Sequence, residues 1–237
     1  MTSARSLPRG FTLLETVISI GVLAVLLSAF LAVFGPAATG IRRAISTQEA
    51  DRFSTALVSE LSTRREGSQT SDFTSGFDKG FNWIKDSASS GKTLLVYQYR
   101  ANPSTSLRTD GTMPPYTSTS GVVGKDYIVQ PMVRQRDDTM FAEDLEALEG
   151  RVFAVKPIQL IADSGGGLKQ GTAGTITDPE TGSNVSASAA YSGSVIPFAA
   201  EFYNVPSTAP TFLSTGGAFD PAKLKSPLFT RNLAITR

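Results

Sequence analysis

The sequence predicts an α+β fold in which a long N-terminal helix packs on a β-rich, mainly antiparallel globular head. Residues 11–34 form an uninterrupted apolar run with one charged side chain, Glu15, which is the composition of a membrane-spanning helix. Apolar residues then recur at helical spacing as far as Leu61, which indicates an amphipathic helix. Beyond residue 68 the chain changes to short β-prone runs separated by glycine, proline, serine, threonine and aspartate, which is typical of strands joined by turns.

The apolar run is long enough to cross a bilayer. At a rise of 1.5 Å per residue, residues 11–34 would form a helix of roughly 36 Å, against a hydrocarbon core of roughly 30 Å. Residues 1–10 precede it and carry Arg5 and Arg9 as their charged side chains. A basic leader often indicates a secretory signal peptide, but such a signal has an apolar core of about 7–15 residues. The length of the run and its internal carboxylate therefore favour a retained helix.

The junction Gly10-Phe11-Thr12-Leu13-Leu14-Glu15 resembles the prepilin leader of type IV pilins and type II secretion pseudopilins. The resemblance implies that a prepilin peptidase cuts after Gly10, that the new N-terminus at Phe11 is N-methylated, and that Glu15 takes part in filament assembly. It also implies other pilin or pseudopilin subunits, an inner-membrane assembly platform and membrane lipid as partners. The resemblance covers about residues 1–60, and a plain signal anchor with a coincidental glutamate is the alternative.

Four parts are expected along the chain: a leader at 1–10, a transmembrane helix at 11–34, an amphipathic extension at 35–66 and a globular head at 67–237. Gly35 and Pro36 are expected to kink or interrupt the helix, because proline removes a backbone donor and its ring crowds the preceding turn. Gly67 is the expected end of the extension. The apolar stripe that we expect to pack on the head contains Ile41, Ile45, Phe53, Leu57 and Leu61.

In the head, β-prone runs predict strands at 93–100, 126–134, 151–162, 174–177, 184–191, 195–205 and 228–236. Pro157 lies inside one of these runs and indicates an edge strand or a bulge there. Segment 178–183 predicts a hairpin loop, 101–121 a long loop and 141–148 a short helix. Phe73, Phe77 and Phe81 are spaced for one helical face; with Trp83 they are expected to pack in the core, and a partner surface is the alternative.

Composition excludes several classes of site. The chain has no histidine and no cysteine, which removes histidine-based triads, cysteine–histidine dyads, the usual zinc sites and disulfides. A formal net charge of +1, from 22 basic and 21 acidic side chains, gives no basic excess for binding nucleic acid. No cofactor, metal or nucleic-acid partner is therefore expected.

Two patterns near residue 90 resemble catalytic or nucleotide-binding motifs only superficially. The stretch Ser90-Gly91-Lys92-Thr93 lacks the upstream glycine that a phosphate-binding loop needs, since Asp86 stands at that position. Ser89 and Lys92 have the spacing found in serine acyl-transfer enzymes, where the pair works on a helix. Here the surrounding sequence is turn-like, so a turn is the preferred interpretation of both patterns.

The acidic turns of the head offer oxygen ligands of the kind that calcium prefers. Asp137 and Asp138 form one such pair, and Asp178 and Glu180 form another. Neither stretch forms a complete ligand pattern, so solvated turns are preferred to a calcium site.

These observations favour a filament subunit of a type IV pilus or a type II secretion-like system, and the absence of cysteine and the size of the head resemble minor, β-rich pseudopilins. In this interpretation the N-terminus is cytoplasmic, the helix spans the inner membrane, and the exported head later joins a periplasmic or surface filament. A single-pass anchored binding protein or adhesin that never polymerises is the rival hypothesis. An anchored hydrolase acting through Ser89 and Lys92 is the third.

Overall fold

The computed structural model describes residues 12–65, 73–163 and 165–237. The chain divides into two compact units, Met1–Gln48 and Glu49–Arg237. The first helix, α1 (Leu13–Ser62), contributes residues to both units. The predicted end of the extension at Gly67 lies outside the described residues.

Helix α1 continues through Gly35 and Pro36, so the predicted interruption at these residues is wrong. A proline inside a helix removes one backbone donor, whereas the hydrogen bonds of the surrounding turns remain and hold the helix together. A kink at this position stays a prediction. The apolar stripe is buried at Phe53, Leu57 and Leu61, as predicted, whereas Ile41 and Ile45 are exposed.

The strands of the head are β1 (Leu94–Ala101), β2 (Ile128–Gln135), β3 (Leu148–Ala162), β4 (Leu168–Gln170), β5 (Ile176–Thr177), β6 (Asn184–Val185), β7 (Val195–Asn204) and β8 (Phe229–Thr236). They build an antiparallel sheet with the strand order β2-β1-β3-β7-β8. The short strand β4 pairs with the end of β3, and β5 and β6 form a separate hairpin. Each run predicted as a strand overlaps one, although 184–191 forms a strand only at its first two residues, and the prediction misses β4, which is too short to show a β pattern.

Short helices and turns complete the head. The predicted short helix is confirmed as α3 (Thr139–Asp144), which a 3-10 turn extends to residue 147. The predicted hairpin loop joins β5 to β6, and the N–H of Asp178 donates to the carbonyl of Ser183 at 2.8 Å across it. The remaining helices are α2 (Gly76–Asp86) and α4 (Pro210–Leu213).

Pro157 lies in β3, which pairs with a strand on each side, so the predicted edge strand is wrong. Pairing of β3 with β1 ends at Val155, and pairing with β4 begins at Leu160. Pro157 sits in the gap between these two neighbours, opposite Ala200 of β7. A residue in such a gap has no ladder partner on that side, so a missing N–H costs little.

Both faces of the sheet are covered. Alternate residues of β1 enter different clusters: Leu94 and Val96 face α1 and α2, whereas Leu95 and Tyr97 face α3. The first cluster contains Phe77, Phe81 and Trp83, so their predicted packing in the core is confirmed. Phe73 is partly buried against the same cluster.

Two glycines let α2 approach the end of α1 and strand β8. A Cβ atom at Gly76 would collide with the backbone carbonyl of Ser62. A Cβ atom at Gly80 would lie 2.7 Å from Cδ1 of Ile235 and 3.0 Å from the carbonyl oxygen of Leu61. A side chain at Gly76 would therefore push α2 away from α1, whereas at Gly80 the nearest atom is the flexible end of Ile235, which can shift.

Lys79 on α2 closes the C-terminal end of α1. Its side chain is fully buried, and Nζ donates to Oε1 of Glu60 at 2.7 Å and to the carbonyls of Glu60 and Thr63 at 2.7 and 2.6 Å. Nη2 of Arg65 binds Oε2 of the same carboxylate at 2.8 Å. The last carbonyls of a helix lack partners within the helix, and the last turn of α1 carries no basic residue. Lys79 therefore supplies that cation from a neighbouring helix.

Candidate functional site

The first turn of α1 contains a reciprocal cap formed by Thr12 and Glu15. The N–H of Glu15 donates to Oγ1 of Thr12 at 3.2 Å, while the N–H and the hydroxyl of Thr12 each donate to Oε2 of Glu15 at 2.9 Å. This is the arrangement of a capping box, in which the residue before the helix and the third helical residue satisfy each other's backbone donors. This cap is absent from the sequence prediction, although the pattern Thr-x-x-Glu before an apolar run is its signal.

The cap fixes the direction of the Glu15 carboxylate. Both hydrogen bonds to it use Oε2, and among the described residues Oε1 has no partner. The side chain is exposed, and it points back toward the start of α1 because it reaches the N–H of Thr12. The carboxylate is therefore held beside Thr12, at the start of α1.

Behind the cap, α1 presents an apolar surface. Residues Leu13–Ala38 have a mean hydropathy of 2.8, are long enough to cross a membrane, and are exposed throughout. Two hydroxyl groups inside this stretch are satisfied by the helix itself: Oγ1 of Thr16 donates to the carbonyl of Leu13 and Oγ of Ser28 to that of Ala24, each at 2.8 Å. Such internal bonds are what a helix in lipid requires, because no water is present there.

Only part of the predicted processing site lies within the described residues. Glu15 is placed as above, whereas Gly10 and Phe11 at the predicted cleavage point, and the leader charges Arg5 and Arg9, lie outside them. The roles assigned to all five residues stay predictions.

The candidate serine–lysine pair lies in a turn, as the sequence analysis preferred. Ser89 and Lys92 follow α2, and the N–H of Lys92 donates to the carbonyl of Ser89 at 3.1 Å. Nζ of Lys92 lies 2.9 Å from a carboxylate oxygen of Asp137. The amine of Lys92 therefore contacts a carboxylate of the turn that follows β2.

The acidic turns are engaged by groups of the protein. Asp138 caps α3 by accepting from the N–H of Met140 at 2.9 Å. Asp178 accepts from the N–H groups of Ser192, Thr181 and Glu180 at 2.6, 2.9 and 3.1 Å. The bonds from Ser192 and Thr181 hold the pKa of Asp178 well below its usual range. Among the described residues, no group of three or more acidic side chains is arranged to hold a metal ion.

A buried charge cluster under the second face of the sheet is absent from the sequence prediction. Arg134 binds Asp110 at 2.7 Å, Asp144 at 3.3 Å and Asp138 at 3.4 Å, and its side chain is only 3% exposed. The hydroxyl of Tyr97 donates to Asp144 at 2.6 Å; burial, together with that carboxylate, raises the pKa of Tyr97 well above its ordinary value. These groups satisfy one another, which indicates a structural cluster.

Comparison with known proteins adds one match. Residues 5–31 match the family model described as the prokaryotic N-terminal methylation motif. No curated protein and no solved structure matches the chain. The matched segment contains the Gly10–Phe11 junction, the Thr12–Glu15 cap and most of the apolar helix. The chain therefore carries the cleavage and methylation signature of type IV prepilins and pseudopilins.

Proposed function

We propose that this protein is a filament subunit, a minor pilin or pseudopilin, of a type IV pilus or a type II secretion-like system. In this proposal a prepilin peptidase removes residues 1–10, the amine of Phe11 is methylated, and the mature subunit joins a filament through its N-terminal helix. The observation that carries it is the methylation motif directly in front of an exposed apolar helix whose single charge lies in the first turn.

The proposed location follows from the same features. The helix Leu13–Ala38 anchors the precursor in the inner membrane with Arg5 and Arg9 on the cytoplasmic side, in keeping with the tendency of basic residues to stay there. The head 67–237 is exported, and an assembly platform in the same membrane delivers the subunit to a periplasmic or surface filament. The family signature belongs to structural subunits, and we propose no enzymatic activity for the head.

The chemistry of assembly centres on Glu15. After cleavage the α-amino group of Phe11 has a reference pKa of about 7.7–8.0 and is largely protonated at neutral pH. The Thr12–Glu15 cap leaves Oε1 of the carboxylate available to the amine of a neighbouring subunit. Opposite charges attract more strongly where apolar helices exclude water than they do in bulk solvent. The carboxylate therefore favours the register in which the two groups meet.

Substitutions at Glu15 separate its two tasks, capping the helix and pairing with an amine. Glu15→Gln keeps an oxygen acceptor for Thr12, as glutamine also serves in capping boxes, but it has no negative charge. Glu15→Leu removes both functions, and Glu15→Asp keeps the charge with a shorter reach. We expect all three to insert into the membrane and to be cleaved after Gly10, whereas the glutamine and leucine variants enter filaments poorly and the aspartate variant does so to an intermediate degree.

The assay compares co-purification of each variant with sheared filaments against its amount in the membrane fraction. N-terminal mass analysis on the same samples should show a methylated Phe11. If the glutamine variant assembles like the wild type, the role of Glu15 is limited to capping the helix. If the mature protein retains residues 1–10 and never co-purifies with filaments, the non-polymerising anchored protein is the better description.

A further inference from the structure

The loop that leads into β2, residues 117–127, presents two adjacent valines to the outside. Val122 and Val123 expose 60% and 61% of their surface, and neither belongs to a core cluster of the head. They stand in a run, 117–124, that carries no charged side chain and otherwise consists of serine, threonine and glycine. Single apolar side chains on a surface are ordinary, whereas two neighbours in an uncharged loop form a small apolar patch. We call this segment the valine loop.

The turn that carries the valines is fixed by its own backbone. The N–H of Val122 donates to Oδ2 of Asp126 at 2.7 Å, and the carbonyl of Val122 accepts from the N–H groups of Lys125 and Asp126 at 3.1 and 2.9 Å. Gly124 donates to the carbonyl of Tyr127 at 2.8 Å and has a φ of +82°, which favours glycine. None of these bonds uses a valine side chain, so the turn holds both side chains out without depending on them.

Aromatic and cationic side chains hold the base of the valine loop. The rings of Tyr116 and Tyr127 stack at 5.4 Å, and the hydroxyl of Tyr116 donates to the carbonyl of Ser120 at 2.7 Å. Nη1 of Arg100 donates to the carbonyl of Ser118 at 2.8 Å. The loop is therefore attached to the last turn of polar side chains on β1.

Helix α1 enters the head at the end of the sheet where β3 begins. Glu49 is the first residue of the unit that contains the head, and its carboxylate lies 3.9 Å from Nη1 of Arg151. One turn further along α1, the ring of Phe53 packs on that of Phe153 at 5.3 Å. The contacts thus advance along α1 and β3 in the same direction. Since β1 is antiparallel to β3, β1 ends where α1 enters.

The valine loop lies at this same end and on the same side of the sheet as α1. It directly precedes Ile128, which pairs with Ala101 at the end of β1. Tyr99 and Ala101 face the cluster beneath α3, so Arg100 between them faces the side that carries α1. Because Arg100 holds the loop, the valines belong to the end of the head that the chain joins to the apolar helix.

The charges around the loop suit a lipid surface. Asp126 is engaged by the N–H of Val122, and Arg100 lies 3.9 Å from the carboxylate of Glu149. Lys125 follows the valines directly and is exposed. A lysine beside apolar side chains is typical of the membrane interface, because its alkyl stem can lie on apolar surface while its ammonium group stays among the headgroups.

We infer that the valine loop rests on the surface of the membrane that anchors α1, with Val122 and Val123 at the boundary between headgroups and acyl chains and Lys125 among the phosphates. The inference rests on the membrane anchoring contained in the proposed function. Two valines bind lipid weakly by themselves, but a tether raises the effective concentration of the loop at the surface, so the contact is populated. It orients the head of the subunit before assembly.

The test uses the full chain reconstituted into vesicles of phosphatidylcholine and phosphatidylglycerol. The chain has no cysteine, so single cysteines carry an environment-sensitive fluorophore at chosen positions. Thr119→Cys reports on the valine loop. Leu168→Cys is the matched control, because Leu168 is 63% exposed and pairs with Ala162, at the opposite end of β3. With a nitroxide on the lipid headgroups, the label at 119 should lose most of its fluorescence and the label at 168 should keep it.

Variants of the valines show whether they make the contact. In the Thr119→Cys background, the double change Val122→Asp with Val123→Asp should abolish the quenching, whereas the double change to leucine should retain it. Leu168→Asp in the same background is the control for an added charge and should leave the quenching unchanged. Unfolding curves should be alike for all of these variants, because the valine side chains are exposed and the turn is held by other groups.

Equal quenching at 119 and 168, or quenching at 119 that survives the aspartate pair, would overturn the inference. Quenching at 119 that disappears when the protein is highly diluted in lipid would also overturn it, since a neighbouring copy would then be responsible. A label at Ser28→Cys, inside the apolar stretch, tests the anchoring separately through nitroxides on the acyl chains. Glu15→Leu should leave the quenching at 119 unchanged, so a failure of filament assembly is distinguishable from a failure of the lipid contact.

Discussion

Replacement of Lys79 by methionine should destabilise the head more than any single change of an exposed charge. The substitution keeps an apolar chain of similar length beside Trp83 but removes the cation that binds Glu60 and the last carbonyls of α1. Glu60 is itself buried, so its carboxylate loses its fully buried partner. Burial lowers the pKa of Lys79, and the carboxylate of Glu60 opposes that shift.

The expected size of the effect follows from these contacts. Removing one partner of a buried ion pair costs about 3–5 kcal/mol. Arg65 still binds the carboxylate after the change, so we expect a loss near the lower end, about 3 kcal/mol. For a domain of this size such a loss lowers the melting temperature by roughly 6–12 °C. Arg65→Met, at the more exposed partner of the same carboxylate, should cost about 1 kcal/mol or less.

Urea unfolding of the full chain in detergent, followed by circular dichroism and by the fluorescence of the single tryptophan, measures both losses. Equal denaturant slopes would show that the variants unfold between comparable states. The double variant Lys79→Met with Glu60→Gln should recover part of the loss, because the uncompensated charge is gone. A Lys79→Met loss no larger than that of Arg65→Met, or no recovery in the double variant, would refute the reasoning.

Three further predictions concern other contacts. Gly76→Ala should lower the free energy of unfolding by about 1–3 kcal/mol, because a Cβ atom there collides with the end of α1. Gly91→Ala is the control and should change the free energy of unfolding little, because the atoms around Gly91 leave ordinary spacing for a Cβ atom; urea unfolding compares the two variants. The pKa of Asp178 is lower in the folded state than in the unfolded state. Its carboxylate therefore stabilises the fold above the unfolded pKa of about 3.9, and this contribution is lost as the pH falls below that value. The difference in the free energy of unfolding between wild type and Asp178→Asn should therefore shrink below about pH 4, which parallel unfolding curves across that range measure. Thr12→Val should reduce entry into filaments without preventing cleavage, and Thr12→Ser should restore it, as quantified by co-purification with sheared filaments; equal assembly of both would show that the hydroxyl is dispensable.

The broad fold could be predicted because hydrophobic pattern determines it. The long apolar run, the stripe ending at Leu61 and the β-prone runs of the head all reappear as elements. The prediction allowed Pro157 an edge strand or a bulge, whereas a strand with two successive neighbours on one side offers a third place for proline, the gap between them. Of the kink or interruption predicted at Pro36, the interruption is wrong, because one lost donor does not end a helix of this length.

The polar contacts of the head could not be predicted, because they join residues far apart in sequence. Lys79 looks like a surface lysine in the sequence, and only the packing of α2 on α1 reveals its burial. Arg134 meets Asp110 across a long loop whose course no pattern specifies. The Thr12–Glu15 cap is different, since its two residues are three apart and its pattern was available in the sequence.

The contact of Ile235 with Gly80 has a consequence for the order in which this protein matures. Ile235 lies in β8, the last of the described strands along the chain. Its side chain is buried against α2, a helix that precedes every described strand. A core that joins such distant segments cannot close until β8 has been synthesised, and contacts of this range form slowly. Helix α1 leaves the ribosome long before that point. In the proposed function, this apolar helix is thus available for insertion while the head is still an open chain, so the head completes its folding after the helix has been presented to the membrane.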